Sequence, residues 1–406
     1  MSRVVVAAVL VGGLALAGCE PGHDAAAPTR SPATAAATSS DGATAGAPGG
    51  APRPGATATQ QGASGRAACM KPYALGNLSR NVTAISGRRS AMAGQVEGVV
   101  VQAGWDQLEP GTPGRYDTSV LDRQIAVARQ NGLTVRLRVT AGTSAPGYVK
   151  ALGGAPIPFY DHQQRRTSTI GRFWRTDYQA RWQALMSYLA TRYDTDPTVR
   201  EVNISGTGTV SSETMLTMGS DVIPGSRTTN GQRLLDAGAT EAQRRAALMA
   251  DIAFMQRTWA HTHTVLFSSP YVPLEAHPRT SLATTEQIIR QTYEADPGAT
   301  VFGHTGAAES TFAGRTHPAV LAMYQFLIAQ HYPFMAQTQS YGGGAKNLGV
   351  GDLGSVMTWL ASHGAYSIEL PAGWQTDRSA LTVMSATNAA MDRSTTAAFA
   401  AYSPGC

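Results

Sequence analysis

Charge is scarce in this sequence. Only 15% of its 406 residues are Asp, Glu, Lys or Arg, and they leave a net charge of +5. No run of Lys or Arg occurs, and most basic residues are isolated Arg. That pattern is a solvated surface biased towards Arg, and it excludes the clustered basic strip that nucleic acid requires. Long apolar runs are missing too: Val4 to Ala17 is apolar but too short for a comfortable membrane span. Cysteine is rarest of all, with three residues, Cys19, Cys69 and Cys406. A Gly-rich phosphate turn after the first strand is absent, which argues against a doubly wound nucleotide fold. Gly342-Gly343-Gly344 does not replace it, for lack of a following helix start with a Lys at the right spacing. His261-x-His263 precedes a strand and therefore lies away from the loops that carry chemistry. No metal and no cofactor is expected.

The amino terminus reads as an address rather than as structure. Met1-Ser2-Arg3 is a short charged start, and the apolar run behind it is the core of a signal peptide, residues 1–18. The run ends in Leu16-Ala17-Gly18-Cys19, which resembles the bacterial lipobox. That resemblance implies a diacylglycerylated Cys19 at a new amino terminus, a membrane anchor through lipid, and a place on the extracytoplasmic side of the envelope. Two or more acyl chains hold stably, since each buried methylene contributes about 0.8 kcal/mol. Residues 19–66 are Ala, Pro, Thr, Gly and Ser with almost no aliphatic bulk. Such a segment cannot bury enough apolar surface to offset its ordering entropy, so a flexible tether is expected.

The folded part, residues 67–406, is organised around Val99 to Gly142. Strand Val99-Val100-Val101 leads into Trp105-Asp106-Gln107-Leu108-Glu109-Pro110, then Gly114 and Tyr116-Asp117. A helix follows with Leu121, Ile125 and Ala128 on its apolar side, stopped at Asn131-Gly132. The next strand, Leu133 to Val139, completes one βα unit and begins another. These motifs, continued through Ala145-Pro146, Trp174, Tyr178, Trp182, Arg192-Tyr193-Asp194 and Val202-Asn203-Ile204, resemble clan-A glycoside hydrolases. The nearest members are the β-galactosidase-like and cellulase-like barrels. The resemblance implies an α/β fold, a (β/α)8 TIM barrel, with carbohydrate as its partner and no need of an oligomer.

The strand pattern agrees. An opening strand is expected within Pro72–Leu75 or Val82–Ile85. Strands near 99–103, 133–140, 199–205, 264–269, 300–304, 333–339 and 365–370 then alternate with helices near 177–193, 241–259, 285–293, 317–330 and 353–363. In a closed barrel the first and last elements are neighbours. A disulfide between Cys69 and Cys406 is therefore natural, and an oxidising exterior permits it.

Strand alternation assigns the interior. The bulky sets Val135/Leu137/Val139, Val202/Ile204 and Tyr366/Ile368/Leu370 face the helices. That sends Arg136, Arg138, Asn203, Ser205, Ser367 and Glu369 inward, with Gln337, Gln339, Gln102 and His304. The family places an acid/base Glu at the end of strand four and a nucleophile Glu at the end of strand seven, about 5 Å apart. Here those positions read Asn203-Ile204-Ser205-Gly206 and Gln337-Thr338-Gln339-Ser340, with no Glu. Two carboxylates are expected to substitute: Glu369, atop strand eight, and Glu213, in the loop after strand four. Glu309 and Asp106 are weaker candidates, and Glu369 could equally serve as a counter-charge to Arg138. Trp105, Arg138, Asn203, His304, Gln339, Tyr341 and Trp374 are expected to line a sugar cleft, the aromatics by stacking. The function expected is a lipid-anchored glycoside hydrolase-like protein. The alternative is a non-catalytic glycan-binding or envelope lipoprotein that has lost the catalytic pair.

Overall fold

A computed structural model of the chain describes residues 70–73, 75–82, 94–161, 164–210, 221–274, 280–342 and 349–398. Cys19, Cys69, Cys406 and Glu213 lie outside the described residues, as do the leader and tether. Eight parallel strands close on one another in chain order. They are β1 (Gly76–Ser79), β2 (Gly98–Gly104), β3 (Thr134–Thr140), β6 (Val199–Asn203), β7 (His263–Phe267), β8 (Thr300–Ala307), β9 (Phe334–Thr338) and β10 (Ser367–Leu370), which returns to β1. The remaining two, β4 (Ile157–Asp161) and β5 (Arg166–Ile170), form an antiparallel hairpin in the long connection after β3. This is the (β/α)8 barrel expected. Two details differ. The opening strand lies between the two stretches proposed for it, and the connection after β3 carries a hairpin rather than plain loop.

Seven long helices wrap the described barrel: α1 (Ser119–Gln130), α2 (Thr176–Tyr193), α3 (Glu241–Thr258), α4 (Leu282–Ala295), α5 (Pro318–Ala329), α6 (Leu353–Ser362) and α7 (Arg378–Ala398). Each begins and ends for local reasons. In α1, Leu121, Ile125 and Ala128 fall on one buried face, and Gly132 ends the helix at φ +67°, in the left-handed region. Helix α3 opens with a reciprocal cap between Thr240 and Gln243, and Asp352 caps α6 by accepting from the Ser355 amide at 2.6 Å. No described helix is long and apolar enough to cross a membrane.

The strands' outward residues, Val135, Leu137 and Val139 among them, join the helices in one large core. Inside the barrel the filling is split. Leu78, Val265, Phe267, Val301 and Met335 pack together on the side of β1 and β7–β9. Facing them from β3, β6 and β10 are Arg136, Arg138, Glu201, Ser367 and Glu369, all 2% exposed or less. Tyr73 and Arg136 share the carboxylate of Glu201: the Tyr73 hydroxyl donates to Oε1 at 2.7 Å, and the Arg136 Nε donates to Oε2. Arg136 also donates from Nη2 to Ser367 at 2.8 Å.

The amino end of the barrel is sealed. Lys71 Nζ donates to the carbonyls of Asp196 (2.8 Å) and Val199 (2.7 Å) and to the Thr262 hydroxyl (2.8 Å). His263 sits between the carbonyls of Lys71 and Gly298, and burial lowers its pKa to about 4 against the pull of those two acceptors.

Breaking a buried pair strands the surviving charge. Glu201→Gln removes the carboxylate facing Arg136 at a site with no exposure. The expected loss is about 3–5 kcal/mol, read as a lowered urea midpoint. A loss under about 1 kcal/mol would mean that Arg136 is neutralised elsewhere.

Candidate functional site

Function in this architecture gathers where the strands end and the long loops begin. At that end of the barrel, Glu369 on β10 is surrounded by three guanidinium groups. Arg80, just past β1, donates from Nε to Oε1 at 3.1 Å. Arg138 on β3 donates to both oxygens, Nη1 reaching Oε1 at 3.3 Å and Nη2 closing on Oε2. Arg136 adds a bond to Oε2 at 3.3 Å from below. Arg138 continues outward to Gln337 (3.2 Å) and Gln102 (3.4 Å), and Arg80 also donates to the Thr338 carbonyl. Burial by itself would push the Glu369 carboxyl up. The charges of Arg138, Arg80 and Arg136 overturn that and hold it below the ordinary range.

This geometry gives Glu369 a different role from the catalytic one expected. It is ionised, wholly buried, and has both oxygens occupied by cations. A general acid must carry a proton, and a nucleophile must have a free lone pair facing the substrate. Both oxygens of Glu369 are instead bonded to guanidiniums, the arrangement of a counter-ion. The Arg138 partnership considered as the alternative is the one present, enlarged by two arginines.

The other expected residues divide. Arg138, Gln102, Gln337 and Glu369 are brought together, and Gln102 is exposed at the mouth. Asn203 ends β6 pointing inward with no exposure, and neither its Oδ1 nor its Nδ2 meets a hydrogen-bond partner among the described residues. An amide there offers two donors and an acceptor. Gln339 is nearly buried just past β9, and His304 is half-buried on β8. Tyr341 stands at the rim, 36% exposed, its hydroxyl donating to Asp377 at 2.9 Å.

The two tryptophans are not platforms. Trp105 has no exposure, meets Tyr178 and Trp182 edge-on, and donates from Nε1 to Glu109 at 2.7 Å. Trp374 is 1% exposed and belongs to the core. A buried indole has no face to offer a sugar. Glu309 is bound to the Asp352 amide (3.0 Å) and Arg315 (3.1 Å), which lower its pKa. Asp106 is exposed, and partial burial of its carboxyl raises its pKa against the opposing charge of Lys150.

Four residues escaped the sequence reading: Arg80, Glu201, Tyr73 and Asp251. The last ties the mouth to the helices. On α3, Asp251 accepts from Trp182 Nε1 and from the Gly206 amide, each at 2.9 Å, so it fixes the start of the loop after β6. Gly206 is needed there, because a Cβ would run into the Trp182 Nε1 and stand 2.8 Å from the Asp251 Oδ1. The same loop is held from the other side by the Thr143 amide, which donates to the Thr209 carbonyl at 2.8 Å. The sequence signal for Asp251 was an acid among Ala247, Leu248, Ile252 and Met255, on a buried face that also carries Arg244 and Gln256.

No family model and no curated protein matches this sequence. Among solved structures, the fold is similar to the catalytic domain of a β-amylase from Paenibacillus polymyxa, at TM-score 0.50 and 9% identity. The match covers 77% of this chain and 99% of that one. A β-galactosidase from the psychrophilic Marinomonas ef1 matches at 0.47 and 13%, over 77% of this chain and 59% of its own length. An endo-β-1,4-glucanase from Xanthomonas axonopodis matches at 0.44 and 10%, over 78% and 94%. This chain thus spans about three-fifths of the β-galactosidase. At such identities the likeness is one of fold.

Burial raises the Asp251 pKa from 3.8 to about 7, against its bonds from Trp182 and Gly206. A raised carboxyl favours the folded state where it is protonated. That contribution is complete below about pH 4 and is lost as pH rises through 7. Asp251→Asn, which cannot ionise, is expected to flatten this part of the curve, losing less stability than the parent between pH 4 and 8. Parallel curves in thermal melts would mean that the carboxyl is charged throughout.

Proposed function

We propose that this chain is a lipid-anchored envelope protein whose barrel mouth binds carbohydrate without cleaving it. One observation carries the reading: the inward carboxylate at the mouth, Glu369, is neutralised by Arg80, Arg136 and Arg138. The ends of barrel strands four and seven supply only amides and hydroxyls, Asn203 and Ser205 on one side, Thr338 and Gln339 on the other. Amides recognise sugar hydroxyls by paired donation and acceptance, and they cannot act as acid or nucleophile. Gln102, exposed at the mouth with its Oε1 facing Arg138, is the amide best placed to take a hydroxyl. Cys19 and the segment behind it would hold the barrel on the extracytoplasmic face at a distance from the membrane.

A second reading keeps the chemistry. Glu213 follows the strand-four end, and Asp106 is an exposed carboxyl with a raised pKa, as a general acid needs. Together they would make an unusual pair.

Two measurements decide. The purified protein is expected to bind glycans in a polysaccharide panel while releasing no product from them or from aryl glycosides. Gln102→Ala should weaken binding roughly tenfold, the equivalent of about 1.4 kcal/mol. Turnover abolished by Glu213→Gln would replace the binding protein with a hydrolase. For the anchor, Cys19→Ala is expected to move the protein from the membrane fraction to the soluble one. Unchanged membrane association would remove lipid from the account.

A further inference from the structure

Beside the mouth, on the outer rim of the same end of the barrel, lies a groove of about 360 Å³. It runs between the connection after β3 and the segment leading into α3, and Gly153, Arg172, Trp174, Arg175, Thr176 and Gln243 shape it. Its volume falls within the roughly 300–1,000 Å³ usual for small-ligand sites. Nothing in the sequence reading or in the mouth's amide chemistry accounts for it.

The groove is built around its two arginines. Gly153 and Gly154 take φ of +72° and +140°, which side-chain-bearing residues rarely adopt. A Cβ at Gly153 would run into the Arg175 guanidinium, and one at Gly154 would stand 2.9 Å from Arg172 Nη2. The glycines therefore let both guanidiniums lie against the backbone. Arg175 is balanced by Asp177, which it holds with two nitrogens at 3.0 Å each. Arg172 donates from Nη1 to the Ala155 carbonyl at 2.9 Å, and no carboxylate among the described residues pairs with it. One cation is thus left uncompensated in a concave surface. Beside it are the half-buried indole of Trp174 and the amide of Gln243. The Gln243 Oε1 is taken up by Thr240, at 3.0 Å, which leaves the Nε2 donors for other acceptors.

We infer that this groove is a subsite for an anionic sugar residue, one carrying a carboxylate or a sulfate. Arg172 meets the acid group with a planar pair of donors, a geometry that suits either oxyanion. Trp174 supplies apolar surface for the ring, and Gln243 donates to a ring hydroxyl. The inference rests on the carbohydrate reading of the mouth and narrows it: the glycan taken up would be an acidic polysaccharide, with neutral units at the barrel mouth and a charged one at the rim.

The test is calorimetric titration of the full-length protein with three probes of equal length: oligogalacturonate, a sulfated galactan oligomer and a neutral galactan oligomer. The parent is expected to prefer one or both charged probes by about tenfold over the neutral one at low salt, the preference shrinking as salt screens it. Which charged probe is preferred separates the carboxylate from the sulfate. Arg172→Gln should bring the charged probes to the neutral one's affinity and leave the latter unchanged, Arg172→Lys should keep part of the preference, and Trp174→Ala should weaken all three. Equal affinity of the parent for charged and neutral probes would overturn the subsite while leaving glycan binding at the mouth. A preference that survives Arg172→Gln would also overturn it. Failure to bind any probe would remove both the subsite and the reading beneath it.

Discussion

A carboxylate surrounded by three guanidiniums in the middle of a barrel is an unusual way to fill the space between strands. Barrel interiors are ordinarily packed by layers of branched apolar side chains. Here one side is packed so, by Leu78, Val265, Phe267, Val301 and Met335. The other is held by charge. Burying an ion is costly unless it is paired and its remaining lone pairs and protons are bonded. The interior approaches that condition by sharing: Glu369 takes three arginines, Arg136 bridges Glu369 and Glu201, and Tyr73 and Ser367 add further bonds, while the Arg138 Nε has no partner among the described residues. The Phe267 ring lies 5.5 Å from the guanidinium carbons of both Arg136 and Arg138, joining the two halves. The strands could not keep these inward residues without the whole set. The same set places a guanidinium on each oxygen of Glu369.

Much of this was legible in the chain. Alternation about Val135, Leu137 and Val139 was enough to send Arg136 and Arg138 inward, and the same rule placed Asn203, Ser367 and Glu369. Glu201 obeyed it too, two positions before Asn203. It lies in the middle of its strand, below the ends where sites gather in this architecture. Tyr73 and Arg80 lie outside any strand, so no periodicity points at them. The loop tryptophans show the opposite limit. Trp105 and Trp374 stand in carboxyl-end loops, but sequence position does not say which way an indole turns, and both turn into the core. The helix α7, dilute in large apolar residues and rich in Ser and Thr, buries Ala380, Met384 and Met391 and packs against α6 and β1.

The loops above the barrel repeat the theme of polar groups tying distant segments. Asp251 reaches from α3 to the Gly206 amide, Asn230 clasps both backbone groups of Tyr160 at 2.9 Å, and Thr143 is joined to Thr209. These bonds hold the connections after β3 and β6 against each other and so fix the wall between the mouth and the rim groove. A surface assembled from two loops is only as well defined as the bonds between them.

The shared ion network has a bearing on how the chain reaches this state. Its members are far apart in sequence: Arg136 and Glu369 are separated by 233 residues, Arg80 and Glu369 by 289. A partial barrel made of the first four strands would hold Arg80, Arg136 and Arg138 with Glu201 alone. One made of the last four would hold Glu369 with no arginine at all. Neither half can desolvate its charges favourably until the other arrives. Contacts so remote in sequence form late and slow the search. In exchange the transition is sharpened: closure of the ring and neutralisation of its interior become one event, and stable half-barrels are disfavoured on the way.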